Sequence, residues 1–178
     1  FANTVVGSAA LSTEDTGRYN TAIGASALET LNSDQDNFNT AVGYQAAQGN
    51  SVSSFIQTVA IGAKALHELT TGNYNVAVGF EALEETTVGD YNTAVGTYAL
   101  KVNVNGDRST AIGYGALFYQ GPSTAANADY YNVAVGYFAG QNINTGVQNT
   151  AIGGFAAHQL TTGSYNTAVG HSALGANT

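Results

Sequence analysis

The chain contains no cysteine, methionine or tryptophan, and one proline, Pro122, in 178 residues. Without cysteine there can be neither a disulfide nor a thiolate metal site, and cysteine usage gives no guide to redox compartment. Charge is also scarce, at 9% of residues against ~25% for an average soluble domain. Four Lys and Arg against twelve Asp and Glu leave a formal net charge of −8. That balance argues against nucleic acid and anionic membrane surfaces as partners. No segment approaches the ~20 apolar residues needed to span a bilayer, so no membrane insertion is expected. Glycine, by contrast, is abundant at 22 residues. With Asn, Thr and Ala it makes a composition that stacked β-coils tolerate.

One unit is written ten times. Tyr91-Asn92-Thr93-Ala94-Val95-Gly96-Thr97-Tyr98-Ala99-Leu100 returns almost unchanged as Tyr165-Asn166-Thr167-Ala168-Val169-Gly170-His171-Ser172-Ala173-Leu174. Its anchor glycines are Gly7, Gly24, Gly43, Gly62, Gly79, Gly96, Gly113, Gly136, Gly153 and Gly170, spaced by 17 residues six times, 19 twice and 23 once. A fixed short period is the signature of a solenoid. The residue before each anchor is Val or Ile, and the one three before is Thr or Val. That β-branched alternation with period two predicts a strand. Alanine stands three residues after every anchor, from Ala10 to Ala173, which predicts a contact that admits only a methyl group.

The expected fold is therefore all-β: one parallel β-solenoid of about ten 17-residue coils over residues 1–178, with longer turns at 29–38, 48–57 and 118–131. Each 17-residue interval carries a glycine ten residues after the anchor (Gly17, Gly72, Gly89, Gly106, Gly146, Gly163), read as a tight turn with positive φ. Each coil should then run strand, bend, short second strand and glycine turn. The Val/Ile and Thr/Val columns are expected inside the coil, and the Ala and Gly face is expected to pack against another chain. Asn four before the anchor, in eight copies with Thr58 and Ser109 as exceptions, reads as a structural ladder of stacked amides.

Five before the anchor stand Tyr19, Phe38, Tyr74, Tyr91, Tyr131 and Tyr165. An exposed row of this kind can bind sugars or simply shield the coil edges as an aromatic ladder. Arg108 in the same column predicts a cation–π contact with Tyr91. Register predicts the pairs Lys64 with Glu81 and Glu84 with Lys101. The 23-residue interval predicts a protruding loop, with Gln120, Gly121, Pro122, Ser123, Thr124 and Asn127 as candidate binding residues.

No constellation for chemistry emerges. His67 and His158 share a column but lie five coils apart, on the order of 24 Å, and His171 falls in another column. Asp34-x-Asp36-Asn37 lacks the remaining spacing of a calcium loop. Glu68 over Glu85 reads as a solvated edge. The glycine pattern lacks the Gly-Lys-Ser/Thr of a phosphate loop. No metal or cofactor is implied, and the chain is not expected to be an enzyme.

The Asn-Thr-Ala-Val-Gly-x-x-Ala-Leu repeat resembles the heads of trimeric autotransporter adhesins, whose hallmark is Asn-Ser-Val-Ala-Ile-Gly followed two residues later by Ser. It is also similar to repeats of phage tail-fibre and other extracellular fibre proteins. The likeness runs through all ten anchors. Here the asparagine falls one position later, alanine replaces the serine, the period is longer, and neither a coiled-coil stalk nor a membrane-anchor segment is present. The resemblance implies a left-handed β-roll, three of which pack into a rigid trimer that binds host or matrix surfaces, at the cell or virion exterior. A start at Phe1 without methionine or a signal-like segment suggests an excerpt or a processed product, and the absence of caps at both ends adds a head-to-tail filament as a variant. The rival class is a carbohydrate- or ice-binding solenoid. Ice binding calls for an outward threonine array, whereas the Thr4, Thr21, Thr40, Val59 column is expected to point inward.

Overall fold

Each triplet before an anchor glycine, Thr/Val-Ala-Val/Ile in nine copies and Thr4-Val5-Val6 in the first, forms a three-residue strand. In the structure, a computed structural model that describes residues 2–13, 16–33, 37–50, 53–121 and 128–175, these are β1 (Thr4–Val6), β2 (Thr21–Ile23), β3 (Thr40–Val42), β4 (Val59–Ile61), β5 (Val76–Val78), β6 (Thr93–Val95), β8 (Thr110–Ile112), β10 (Val133–Val135), β11 (Thr150–Ile152) and β12 (Thr167–Val169). They form one ten-stranded parallel sheet in chain order. A separate pair joins β7 (Gly106–Asp107) to β9 (Ala128–Asp129). No helix occurs among the described residues. The chain is a β-solenoid.

Register keeps every column intact across all three spacings. Thr93 pairs with Thr110 over 17 residues, Thr21 with Thr40 over 19, and Thr110 with Val133 over 23. The turns absorb the extra residues, as the spacing predicts.

The strands face the opposite way from the expectation. Ala22, Ala41, Ala60, Ala77, Ala94, Ala111, Ala134 and Ala151 are completely buried, while the Val/Ile and Thr/Val columns point outward. The reason is the width of the coil. The facing wall brings in the alanine after each anchor and, in seven coils, a neighbouring leucine; Ala82 and Leu83, and Ala99 and Leu100, are fully buried. Leucine supplies the bulk, so only a methyl group fits from the strand.

The glycine turns also differ. Gly72, Gly89, Gly106, Gly146 and Gly163 do not take positive φ. They are small because a Cβ at Gly72, Gly89 or Gly146 would meet the carbonyl oxygen of the glycine one coil on at 2.2–2.5 Å. Positive φ belongs instead to the ten anchors, at 123–139°. From Gly7 to Gly153, a Cβ would lie 2.3–2.7 Å from backbone of the next anchor.

Three further positions in most coils take the left-handed region, nearly always with side chains attached, as at Tyr91, Tyr98 and Leu100, and with glycine at Gly115 and Gly140. Each position that carries a side chain costs about 1–2 kcal/mol. Hydrogen bonds between coils offset that cost: Tyr91 N–H donates to Asn73 O at 3.0 Å, Tyr98 N–H to Phe80 O at 3.0 Å, and Leu100 N–H to Ala116 O at 2.9 Å. This alternation replaces most of the expected second strand, which is seen as β7 and β9, the Leu31–Ser53 bridge and a bridge at Arg18.

Candidate functional site

Asparagine four before the anchor joins coils mainly through backbone; a stacked-amide bond within the column is seen from Asn166 Nδ2 to Asn149 Oδ1 at 3.1 Å. Asn92 Oδ1 accepts Ser109 N–H at 3.0 Å, and Asn92 Nδ2 donates to Gly106 O at 2.7 Å. Asn75, Asn132 and Asn149 repeat the arrangement. Where Ser109 interrupts the column, Gln120 fills the space. Its side chain bonds Asn103, Ser109 and Asn132, and all four are buried. Gln120 and the buried Gly121 are therefore core residues and not part of an exposed binding loop. Pro122, Ser123, Thr124 and Asn127 lie outside the described residues, as do Asp34 and Asp36.

A second side-chain ladder, unforeseen in the sequence, runs two residues earlier. Asn73 N–H donates to Asp90 Oδ1 at 2.6 Å, and Asp90 N–H to Asp107 Oδ1 at 2.7 Å. Burial pushes the Asp107 carboxyl above its ordinary value, against the lowering effect of the Asp90 N–H. Burial likewise raises the Tyr130 hydroxyl, whose ring lies against Gly106 and Gly121.

The aromatic column is assembled as a ladder. Tyr19 stacks on Phe38 at 5.0 Å between centroids, and Tyr74 on Tyr91 at 4.8 Å. Arg108 lies over Tyr91 at 5.4 Å, as the spacing predicts, and also over Tyr131 at 5.7 Å. Its guanidinium is held by the carboxylate of Asp129.

A larger aromatic group at the opposite border of the sheet escaped the sequence reading. Tyr114 stacks on Tyr137 at 5.4 Å and meets Phe138 edge-on at 5.2 Å. Phe80, Tyr98 and Phe155 extend the cluster. Aligning the two positions after each anchor was the signal that would have found it.

Charges gather on the wall away from the sheet face. Lys101 pairs with Glu81 at 2.5 Å and Glu84 at 2.9 Å, while Lys64 reaches Glu84 at 3.7 Å instead of the expected Glu81. Burial alone would lower Lys101, but its hydrogen bonds to both carboxylates outweigh that and hold it above the usual lysine range. Burial, and then the Glu68 carboxylate, raise Glu85.

The histidines do not converge. His67 bonds Gln48 at 3.0 Å, His158 bonds Phe155 O at 3.0 Å, and His171 bonds Ser172 at 3.0 Å. No cluster of three metal-ligating side chains occurs among the described residues, and no helix there is long and apolar enough to cross a membrane.

What remains is the outer sheet face. Its two columns carry only Thr, Val and Ile in all ten coils: Thr4 to Thr167 in one, Val6 to Val169 in the other. The fold and this face define a β-solenoid repeat protein with one flat, uncharged, β-branched surface bordered by aromatic rows. No family model matches the chain, and neither a curated protein nor a solved structure matches it.

Proposed function

We propose that this chain is a structural fibre module that packs side by side with copies of itself through the Thr/Val and Val/Ile face, leaving its turns and outer corners for attachment to an extracellular surface. The observation that carries this reading is the outward orientation of the branched columns. The face that associates is thus the branched one, since the alanine face fills the coil. Ile23, Ile61, Val95, Ile112, Ile152 and Val169 all stand exposed. At ~4.8 Å per coil, ten coils make a face roughly 43 Å long. With its aromatic borders it covers on the order of 650 Å², near the ~800 Å² per partner of a stable interface and above the patches that ordinary monomers expose.

The symmetry that the repeat's resemblance favours is a trimer. Light scattering on the purified chain tests it. A trimer that Val78→Lys with Val95→Lys converts to monomer, with circular dichroism retained, is the expected result. A monomeric wild-type chain overturns the reading.

One observation favours a second reading. The outward column holds seven threonines, at Thr4, Thr21, Thr40, Thr93, Thr110, Thr150 and Thr167, interrupted by Val59, Val76 and Val133, and an outward threonine array is what ice binding calls for. A monomer showing thermal hysteresis would establish that alternative.

A further inference from the structure

The aromatic ladder is interrupted three times, and the three interruptions differ. Between Tyr91 and Tyr131 the intervening coil supplies Arg108, whose guanidinium lies over both rings. Between Tyr131 and Tyr165 it supplies Gln148, and between Phe38 and Tyr74 it supplies Gln57. The scaffold under Arg108 and Gln148 is the same. Their φ values are 57° and 55°, and each donates its N–H to the preceding coil, Arg108 to Asp90 O at 3.0 Å and Gln148 to Tyr130 O at 2.7 Å. The flanking rings are two coils apart in both places, about 9.6 Å.

Beside Gln148 lies an open surface cleft of about 480 Å³, lined among the described residues by Tyr131 and Gln148; Tyr165 is the next ring of the column, one coil beyond Gln148. Tyr131, Gln148 and Tyr165 are all exposed, and no hydrogen bond among the described residues engages the Gln148 side chain.

We infer that the Tyr131–Gln148–Tyr165 slot receives the guanidinium of an arginine presented by a partner peptide, in the manner in which the chain's own Arg108 fills the slot one ring earlier. The planar cation stacks on both tyrosine faces, and the Gln148 amide oxygen accepts one of its N–H groups. Charge is complementary, since the chain carries −8. The cation nearest the slot on this row, Arg108, sits beyond Tyr131 and is already held by Asp129. Lysine fits less well, because a compact ammonium cannot stack in a slot two coils wide. The Phe38–Gln57–Tyr74 gap has the same construction with one tyrosine replaced by phenylalanine.

The test is a titration of the full chain with N-acetyl-arginine amide, followed by NMR of the assigned aromatic rings. The expected result is that the Tyr131 and Tyr165 resonances shift, with an affinity at least about threefold above that of N-acetyl-lysine amide. Gln148→Arg fills the slot from within, and should abolish those shifts while leaving the Phe38 and Tyr74 response unchanged. That second slot reports that the variant is folded. Equal or tighter binding of the lysine amide or of N-acetyl-phenylalanine amide overturns the inference. So do shifts that persist in Gln148→Arg, or no shift at these rings with either gap.

Discussion

Asn92 is the residue on which the link between two coils is most readily tested. Its side chain accepts one backbone N–H and donates to one carbonyl, both buried. Asn92→Ala leaves the Ser109 N–H unpaired, while Gly106 O keeps its bond from Asn103 Nδ2, and should lower stability by about 1–3 kcal/mol, read from urea unfolding. A change below about 0.5 kcal/mol, the size of an ordinary surface substitution, would deny the residue its bridging role. Glu85 offers the opposite case. Its folded pKa is raised by burial and by Glu68, so the proton it binds favours the folded state. Its contribution is fully present below the ordinary glutamate range and is lost as pH rises through the raised folded value. Glu85→Gln should therefore stabilise the protein at pH 7 and have little effect near pH 3. Thermal melts at the two pH values check the sign.

The strand triplet is the element at which inside and outside are decided. Ala94→Val adds volume to the packed interior and should cost about 1–3 kcal/mol. Val95→Thr, one residue on, exchanges one branched side chain for another on the outer face and should change the monomer's stability by less than about 0.5 kcal/mol. Denaturation at high dilution compares them, and the reverse order would put the branched columns inside. Much of this element was legible in the sequence. Period two placed the strands, the anchor intervals placed the register, and Arg108 was paired correctly with Tyr91. The facing was not legible, because alternation gives two faces without saying which is the lumen. Leu83 and Leu100, arriving from the opposite wall, decide that. Nor could positive φ be assigned from residue type, since Tyr98 and Leu100 adopt it while Gly72 and Gly89 do not. The candidate loop failed at Gln120 because its role depends on Ser109, eleven residues away and replacing an asparagine.

Across the whole molecule, each coil meets only its neighbours, so stability is close to a sum of coil terms and interface terms. The outer face adds a second dimension to that stack. If Val78→Lys with Val95→Lys separates the copies, the monomer should keep its parallel sheet, because neither side chain is needed inside. The repetition also creates an ambiguity during folding. Ten nearly equivalent strands can pair one coil out of place at little cost, since Thr, Ala and Val meet Thr, Ala and Val either way. The irregular residues remove that degeneracy. Phe55 is wholly buried where most coils have a turn glycine, and Gln120 completes its hydrogen bonds only beside Ser109. A slipped chain would drive a phenyl ring into space shaped for hydrogen, and would strand a buried amide. The departures from the motif thus index the stack, and they make one alignment of the ten coils the correct one.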